Sequence, residues 1–315
     1  MTRAASVSFP NRTGLMLYGM LHEPEPASAR GVCVLLLSPG IKGRVGPHRL
    51  YLKLAARLVP LGFHVLRFDY HGLGDSAGEF DERQLVDMYN SIHGGRYVDD
   101  TRTAMDWMSA THGIRRFIGS GLCGGSISAL LTAASDPRIE SLLGIGLPST
   151  LEGGVENFDR FMSRGQLRQE GRGYLRKLFR PGSWQRFLTG RSGYGLIVRS
   201  LRELLLPRRP APAPAAPPPG QPPDNVNPLF APAFLALLER QRPILLFFSA
   251  LDRHRHNFAE KFEERYAERS AQIGHPYQVH LIEQANHVLS DPAWLAEIGV
   301  VMTPWLDRHH PPPAR

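Results

Sequence analysis

The stretch that decides the fold is Gly121-Leu122-Cys123-Gly124-Gly125, which follows an apolar run at 117–119 and leads into a helix-prone segment, 126–134. A strand that turns sharply into a helix through Gly-x-nucleophile-x-Gly forms a nucleophile elbow. Small neighbours are required because the nucleophile has a strained backbone and the strand packs closely against the helix. The pattern predicts Cys123 as a nucleophile, at a position where most such enzymes have serine.

Two polar residues follow predicted strands farther along the chain. The apolar segment 243–250 predicts a buried parallel strand, and Asp252 comes just after it. A second strand is predicted at 277–282, and His287 lies in the loop that follows. The chain order is nucleophile, acid, histidine, and open α/β sheets place their sites at the carboxyl ends of their strands. The sequence therefore predicts a catalytic triad of Cys123, Asp252 and His287.

An oxyanion hole is predicted from a buried strand near residues 35–38, which ends in Pro39-Gly40-Ile41. Backbone N–H groups that point at a developing alkoxide are commonly the largest single catalytic contribution. We expect one donor from the N–H of Ile41 and a second from the N–H of Gly124, the residue after the nucleophile.

Residues 66–76 (Leu-Arg-Phe-Asp-Tyr-His-Gly-Leu-Gly-Asp-Ser) resemble the Asp-x-Arg-Gly-x-Gly-x-Ser segment of the α/β-hydrolase superfamily. Gly-Leu-Cys-x-Gly, together with Gly46-Pro47-His48-Arg49, is similar to bacterial members associated with exosortase and exopolysaccharide gene clusters. The resemblance implies an α/β-hydrolase fold, with a mostly parallel doubly wound sheet and a helical lid insertion.

The sequence departs from the superfamily pattern at three places. Pro39-Gly40 replaces the usual His-Gly of the oxyanion loop, and His71 replaces the arginine of Asp-x-Arg-Gly. The usual Gly-x-x-Asp around the acid is Ser249-Ala250-Leu251-Asp252. None of these changes removes a member of the predicted triad.

A cysteine nucleophile restricts the chemistry. A free thiol has a pKa of roughly 8.5, and a helix N-terminus and a nearby histidine raise the thiolate fraction. A thiolate attacks well but also leaves well, so attack on an amide tends to reverse, whereas esters, lactones and thioesters have better leaving groups. We therefore expect a small-molecule acyl substrate and an acyl enzyme on Cys123. Superfamily members of the dienelactone-hydrolase type use such a cysteine elbow.

Two other functions stay open at this stage. The same acyl enzyme suits an acyltransferase in which a hydroxyl of a glycan or metabolite replaces water. A non-catalytic binding or scaffold protein would keep the fold, and a missing or misplaced triad member would indicate it. Cys33 lies inside a predicted strand, and we expect it to be a packing residue.

The 315 residues suit one large α/β core, formed by 1–150 and 229–315, with an insert at 151–228. The insert ends in a Pro/Ala-rich tract, 207–223, that cannot form a packed core. Two cysteines give no disulfide framework, and no segment resembles a signal peptide or approaches the roughly 20 apolar residues of a membrane span. These features predict a soluble, cytoplasmic protein.

The positive charge is concentrated in the insert. Thirteen basic and three acidic residues lie between 159 and 209, a local net charge of +10 that leaves −2 for the rest of the chain. Six arginines recur every fourth residue and would share one broad helix face: Arg160, Arg164, Arg168, Arg172, Arg176 and Arg180. A solvated lid face is one interpretation. A surface for an anionic substrate, a carrier or the membrane periphery is the other, and nucleic acid is disfavoured because no binding motif accompanies the charge.

Several histidines are weaker candidates. His48 and His71 lie near the predicted mouth of the site. They are either substrate contacts or solvent-facing loop residues. The run Asp252-Arg253-His254-Arg255-His256 has two histidines at i and i+2 with intervening arginines, a poor arrangement for metal ligands. We expect no metal and no cofactor.

Overall fold

A computed structural model describes residues 3–80, 82, 84–152 and 224–313. Among these residues the chain forms one eight-stranded sheet. The strands are β1 (Arg3–Pro10), β2 (Met16–Glu23), β3 (Val32–Leu37), β4 (His64–Phe68), β5 (Arg116–Leu122), β6 (Ile139–Ile145), β7 (Ile244–Ser249) and β8 (Gln278–Ile282).

The sheet order is β1-β2-β4-β3-β5-β6-β7-β8. β1 and β2 form an antiparallel hairpin, β2 pairs antiparallel with β4, and β3 to β8 are parallel. The chain crosses from β3 outward to β4 and back to β5, which is a doubly wound topology with a change of direction beside β3. The predicted fold class is confirmed.

Eight α-helices are described outside the gaps. They are α1 (Leu50–Leu58), α2 (Leu85–His93), α3 (Val98–His112), α4 (Gly124–Ser135), α5 (Phe230–Glu239), α6 (Arg253–Phe258), α7 (Ala267–Ile273) and α8 (Pro292–His309). Short 3₁₀ turns lie at Pro26–Ser28, Pro47–Arg49 and Val59–Leu61, and a π-helical turn at Ala259–Glu263 follows α6.

Strand β3 shows why the central strands are apolar throughout. Alternate side chains point to opposite faces of a sheet. Cys33, Leu35 and Leu37 pack in the core with α3, α4 and α5, while Val32, Val34 and Leu36 pack in the core with α1 and α8. Because helices cover both faces, no position on β3 can be polar without burying a polar group. Each such side chain contributes about 1.5–3 kcal/mol of burial free energy.

The Glu- and Arg-rich segment 257–273 favours one continuous helix in the sequence, and the structure differs from that expectation. The first helix after β7 begins four residues earlier, at Arg253, because the Asp252 carboxylate accepts a hydrogen bond from the His254 N–H and caps the helix. The helical path then passes through the π-helical turn, and a separate helix, α7, begins after Tyr266, whose backbone is not helical. The early start of α6 brings its first turn to the end of β7.

The two ends of the insert meet beside the carboxyl end of β6. Thr150 and Val226 form an antiparallel bridge, and the Leu151 N–H donates to the Asn225 carbonyl at 2.8 Å. The predicted lid, its six regularly spaced arginines and the 207–223 tract fall in 153–223, outside the described residues. No helix in the described part of the chain is long and apolar enough to cross a membrane.

Candidate active site

Cys123 lies at the turn between β5 and α4, with a φ of 52° and a ψ of −113°. A non-glycine residue in this backbone region costs on the order of 1–3 kcal/mol, which the surrounding packing must offset. The neighbours allow the turn because they are glycines. A methyl group on Gly125 would lie 2.1 Å from the Leu37 carbonyl oxygen, and one on Gly121 would lie 2.6 Å from the Gly125 carbonyl carbon. The predicted elbow therefore has the strained, closely packed geometry that exposes a nucleophile.

Asp252 and His287 meet at the carboxyl ends of β7 and β8. The Asp252 Oδ2 atom lies 2.5 Å from His287 Nδ1, while Oδ1 accepts the His254 N–H at 3.0 Å. Gly146 lets the histidine approach, since a methyl group there would lie 3.0 Å from His287 Cε1. With Nδ1 held by the carboxylate, His287 presents Nε2 to the rest of the site.

The thiol of Cys123 is surrounded by imidazoles. Its Sγ atom lies 3.9 Å from His254 Nε2, and ligand atoms of Cys123, His254 and His287 all lie within 4.8 Å of one another. Burial opposes the thiolate, but hydrogen bonding from His254, His287 and His93 outweighs it and holds the pKa of Cys123 well below its usual value. The structure thus brings together the three residues of the predicted triad.

The pKa values of His287 and Asp252 both shift in the direction that favours the charged form. Burial lowers the pKa of His287, but the Asp252 and Cys123 hydrogen bonds override it and raise that pKa to about 10. Burial raises the pKa of the Asp252 carboxyl, and the hydrogen bond from His287 with the neighbouring positive charge brings it down to about 2. The directions of these pKa shifts favour a thiolate at Cys123 and an imidazolium at His287, beside an ionised Asp252 carboxylate.

Sequence reasoning missed His254 and His93 as neighbours of the nucleophile. His254 is only 3% exposed, and its ring centroid lies 5.2 Å from that of His287. The position of His254 could have been inferred from the sequence. An aspartate that follows a strand and caps the next helix fixes the first turn of that helix, so the residue two positions later lies close to the site. His93 comes from the end of α2 and is held by the Thr150 carbonyl at 3.1 Å. No local pattern indicates that contact.

The predicted oxyanion donors lie on two segments in close contact. A methyl group on Gly124 would lie 2.8 Å from the Gly40 nitrogen, so the loop that carries Ile41 passes directly over the start of α4. Gly40 has a φ of 79°, which turns the chain after β3. The first N–H groups of a helix have no partner within the helix, which makes that of Gly124 a natural donor.

Tyr51 makes hydrogen bonds to the strands that precede the same two segments. Its buried hydroxyl donates to the Leu37 carbonyl at 2.5 Å and accepts the Leu122 N–H at 2.8 Å. One side chain on α1 therefore fixes the end of β3 relative to the end of β5. This contact positions the oxyanion loop against the elbow.

The two histidines considered as substrate contacts lie elsewhere. His48 is exposed in the 3₁₀ turn before α1. The Asp100 carboxylate accepts two hydrogen bonds from His71 at 2.8 Å, one from the ring at Nδ1 and one from the backbone N–H. Neither side chain lines the cavity that contains Cys123. The structure gives His71 a structural role in its loop.

A cavity of about 750 Å³ opens at Cys123. Its apolar wall comes from α2 and the loop after β7, with Leu85, Val86, Tyr89 and Leu251. Its polar wall carries Glu152 and Arg253, whose side chains form an ion pair. The cavity that contains the thiol is therefore lined by both apolar side chains and an ion pair.

The chain resembles solved α/β-hydrolase structures over nearly its whole length. An α/β serine hydrolase without a lid from Xanthomonas campestris is 15% identical with a TM-score of 0.54, and the match covers 100% of this chain and 98% of that one. Pyrococcus furiosus esterase Pf2001 is 14% identical with a TM-score of 0.57, covering 98% and 91%. The esterase domain of a Rhodothermus marinus protein is 20% identical with a TM-score of 0.52, covering 97% and 99%. The protein has the α/β-hydrolase fold.

Sequence comparison points to the same superfamily. The chain is 34% identical to lysophosphatidylserine lipase ABHD12 of Macaca fascicularis over 94 residues, and 36% identical to its Mus musculus counterpart over 90 residues. These matches cover 30% and 28% of this chain but only about a fifth of the curated relatives' length, 20% and 19%. No family model matches the chain. The solved structures therefore show the α/β-hydrolase fold, and the matches to the lipase are likenesses over part of the chain.

Proposed function

We propose that the protein hydrolyses a carboxylic ester, lactone or thioester through a covalent acyl-cysteine intermediate. Cys123 is the nucleophile, His287 transfers the proton, and Asp252 orients His287. The observation that carries the proposal is the chain of contacts from the Asp252 carboxylate through His287 to a thiol at a strained elbow. Such a linked nucleophile, base and orienting group is the usual arrangement for acyl transfer through a covalent enzyme intermediate.

In the first step the Cys123 thiolate attacks the substrate carbonyl carbon and a C–S bond forms. The carbonyl oxygen becomes an alkoxide that the Ile41 and Gly124 N–H groups stabilise. The intermediate collapses, the bond to the leaving group breaks, and the His287 imidazolium gives its proton to the departing oxygen or sulfur. The products are an acyl thioester on Cys123 and a free alcohol or thiol, with His287 now neutral.

In the second step neutral His287 takes a proton from a water molecule that attacks the acyl thioester. The C–S bond breaks, the carboxylic acid leaves, and the thiolate–imidazolium pair is restored. The low pKa of Cys123 suits the attack and the departure, because a stable thiolate leaves readily from the second tetrahedral intermediate. The same property disfavours amides, whose amine leaves less readily than the thiolate.

An acyltransferase is the second candidate function, and one observation favours it. Leu85, Val86 and Leu251 line the cavity that contains Cys123, and apolar side chains offer an attacking water no hydrogen-bond partner. A hydroxyl of a glycan or metabolite would then accept the acyl group from the same intermediate. Product analysis with and without glycan acceptors separates the two functions, because transfer yields an ester of the acceptor and hydrolysis yields a free acid.

The substrate class that we propose is a small acyl compound with a polar or anionic group outside the acyl chain, either free or bound to a carrier. Arg253 and Glu152 on the polar wall would contact that group. A thiolate nucleophile has to stay reduced, so the proposed chemistry belongs in a reducing compartment such as the cytoplasm.

The test is intact-protein mass spectrometry during turnover of a panel of short-chain p-nitrophenyl esters and thioesters. We expect an acyl adduct on the wild-type chain, loss of adduct and turnover in Cys123→Ala, and weak residual turnover in Cys123→Ser. Cys33→Ala is the matched control, because it removes the other thiol without touching the cavity, and it should keep both signals. Absence of adduct and of Cys123-dependent turnover across the panel would favour the non-catalytic scaffold.

A further inference from the structure

The Cys123 thiol and two imidazoles form a group that the acyl mechanism does not fully use. The mechanism needs His287, but His254 has no step in it, although its Nε2 atom faces the sulfur. We propose that Cys123, His254 and His287 bind a zinc ion in the substrate-free enzyme, and that the bound ion reversibly blocks the nucleophile. This inference goes beyond the proposed function, because metal binding needs only the thiol and the two imidazoles.

The spacing of the three ligand atoms suits a tetrahedral ion. With Zn–S and Zn–N bonds of about 2.3 and 2.0–2.1 Å, neighbouring ligand atoms of a tetrahedral zinc ion lie roughly 3.3–3.6 Å apart. The Cys123 Sγ atom lies 3.9 Å from His254 Nε2, and all three candidate atoms lie within 4.8 Å of one another. Small side-chain rotations therefore bring the group to bonding geometry without movement of the backbone.

Asp252 contacts both histidines, His287 through its ring and His254 through its backbone. Its Oδ2 atom holds His287 at Nδ1, and its Oδ1 atom holds the His254 N–H at the start of α6. A carboxylate that binds the far nitrogen of a zinc-bound histidine fixes the tautomer and raises the basicity of the ligand. The Asp252–His287 pair therefore has the arrangement that zinc sites use around their ligands.

His254 is buried, and its Nε2 atom faces the Cys123 sulfur. The side chain is 3% exposed, and its Nδ1 atom has no hydrogen-bond partner among the described residues. Within that part of the chain its ring has one polar neighbour at Nε2, the Cys123 sulfur. A buried imidazole with its polar contact aimed at a thiol has the placement of a metal ligand.

Three protein ligands leave a fourth position open toward the cavity, where water completes the coordination. Binding displaces any proton on the sulfur and on the two ligating nitrogens, because a metal ion binds a thiolate and neutral imidazoles. No electron transfer is involved. The ion holds the sulfur and occupies the His287 nitrogen that would transfer the proton, so the occupied enzyme cannot form an acyl thioester.

The experiment is a Co²⁺ titration of the full chain without substrate, followed by displacement with Zn²⁺. A thiolate–Co²⁺ charge-transfer band in the near ultraviolet and tetrahedral d–d bands in the visible, saturating at one equivalent and lost on adding Zn²⁺, are expected. His254→Gln should weaken binding at least on the order of 100-fold, and Cys123→Ala should remove the charge-transfer band. His256→Gln, on the same helix but outside the group, should bind like the wild type.

A second variant separates loss of a ligand from a damaged fold. His254→Cys supplies a thiolate at the same position, so it should restore binding and strengthen the charge-transfer band. No Co²⁺ spectrum in the wild type, or binding that His254→Gln leaves unchanged, would overturn the inference. Acylation of Cys123 is measured in metal-free buffer, so failure of that reaction with an intact Co²⁺ spectrum contradicts only the proposed function.

Discussion

The two cysteines of this chain have opposite environments. Cys33 lies inside β3, fully buried between neighbouring strands, and burial raises the pKa of its thiol to about 12. Cys123 lies just past the end of β5, half-buried, and the surrounding imidazoles hold its pKa well below the usual value. The difference shows that reactivity here depends on where a strand ends. The interior of the sheet offers apolar side chains, whereas its carboxyl edge collects the loops that carry charge.

The largest expected contrast comes from removing each thiol in turn. Cys123→Ala should reduce kcat on the order of 10⁵–10⁶-fold, because no other group can form the acyl intermediate. Cys33→Ala should leave kcat within about twofold of the wild type, since it touches neither the cavity nor the triad. Steady-state kinetics with a p-nitrophenyl ester measure both. Comparable losses of kcat in the two variants would show that Cys123 is no more important for turnover than Cys33.

Removing the charge behind the imidazole should reduce the reactivity of Cys123 without removing its thiol. Asp252→Asn is expected to lower kcat on the order of 10³–10⁴-fold, because the amide cannot stabilise the imidazolium or fix its tautomer. Asparagine caps a helix about as well as aspartate does, so α6 should stay intact, and circular dichroism serves as the control for folding. A variant with normal kcat and an intact spectrum would show that Asp252 acts only as a helix cap.

The pH dependence of alkylation compares the two thiols directly. The lowered pKa keeps Cys123 as a thiolate at neutral pH, and its partner His287 stays protonated up to a pKa of about 10. Iodoacetamide should therefore label Cys123 at a nearly constant rate between about pH 6 and pH 9, at least about 100-fold faster than Cys33. Peptide mass spectrometry reads both sites, and the unfolded chain is the control in which both react. A tenfold rise per pH unit at Cys123 would contradict the ion pair.

The smallest expected effect concerns stability at Cys33. Its side chain packs with Leu35 and Leu37 in one core, so truncation to alanine leaves a small cavity and should cost about 1–2 kcal/mol of unfolding free energy. Denaturant unfolding measures the loss, and the dependence of the unfolding free energy on denaturant concentration should stay the same in both proteins. A cost near zero would mean that the packing around Cys33 adjusts freely.

The fold and the proximity of Cys123, Asp252 and His287 could be predicted because their signals are local. The apolar strand ahead of Asp252 and the glycines around Cys123 are each readable within a few residues, and the chain order links them. A single helix over 257–273 was the wrong expectation, because the cap at Asp252 starts the first helix at Arg253. His93 reaches the thiol from a helix about thirty residues earlier in the chain, and only the packing of α2 against the sheet brings it there.

The bridge between Thr150 and Val226 has a consequence for how the protein can change over evolution. The core itself closes the two ends of the insert, beside the wall of the cavity that Glu152 lines. The entropy of closing a flexible loop grows only with the logarithm of its length, about 0.6 kcal/mol for each doubling. Sequence between these ends can lengthen, shorten or be exchanged at little thermodynamic cost, so the insert and the core that carries Cys123 can diversify separately.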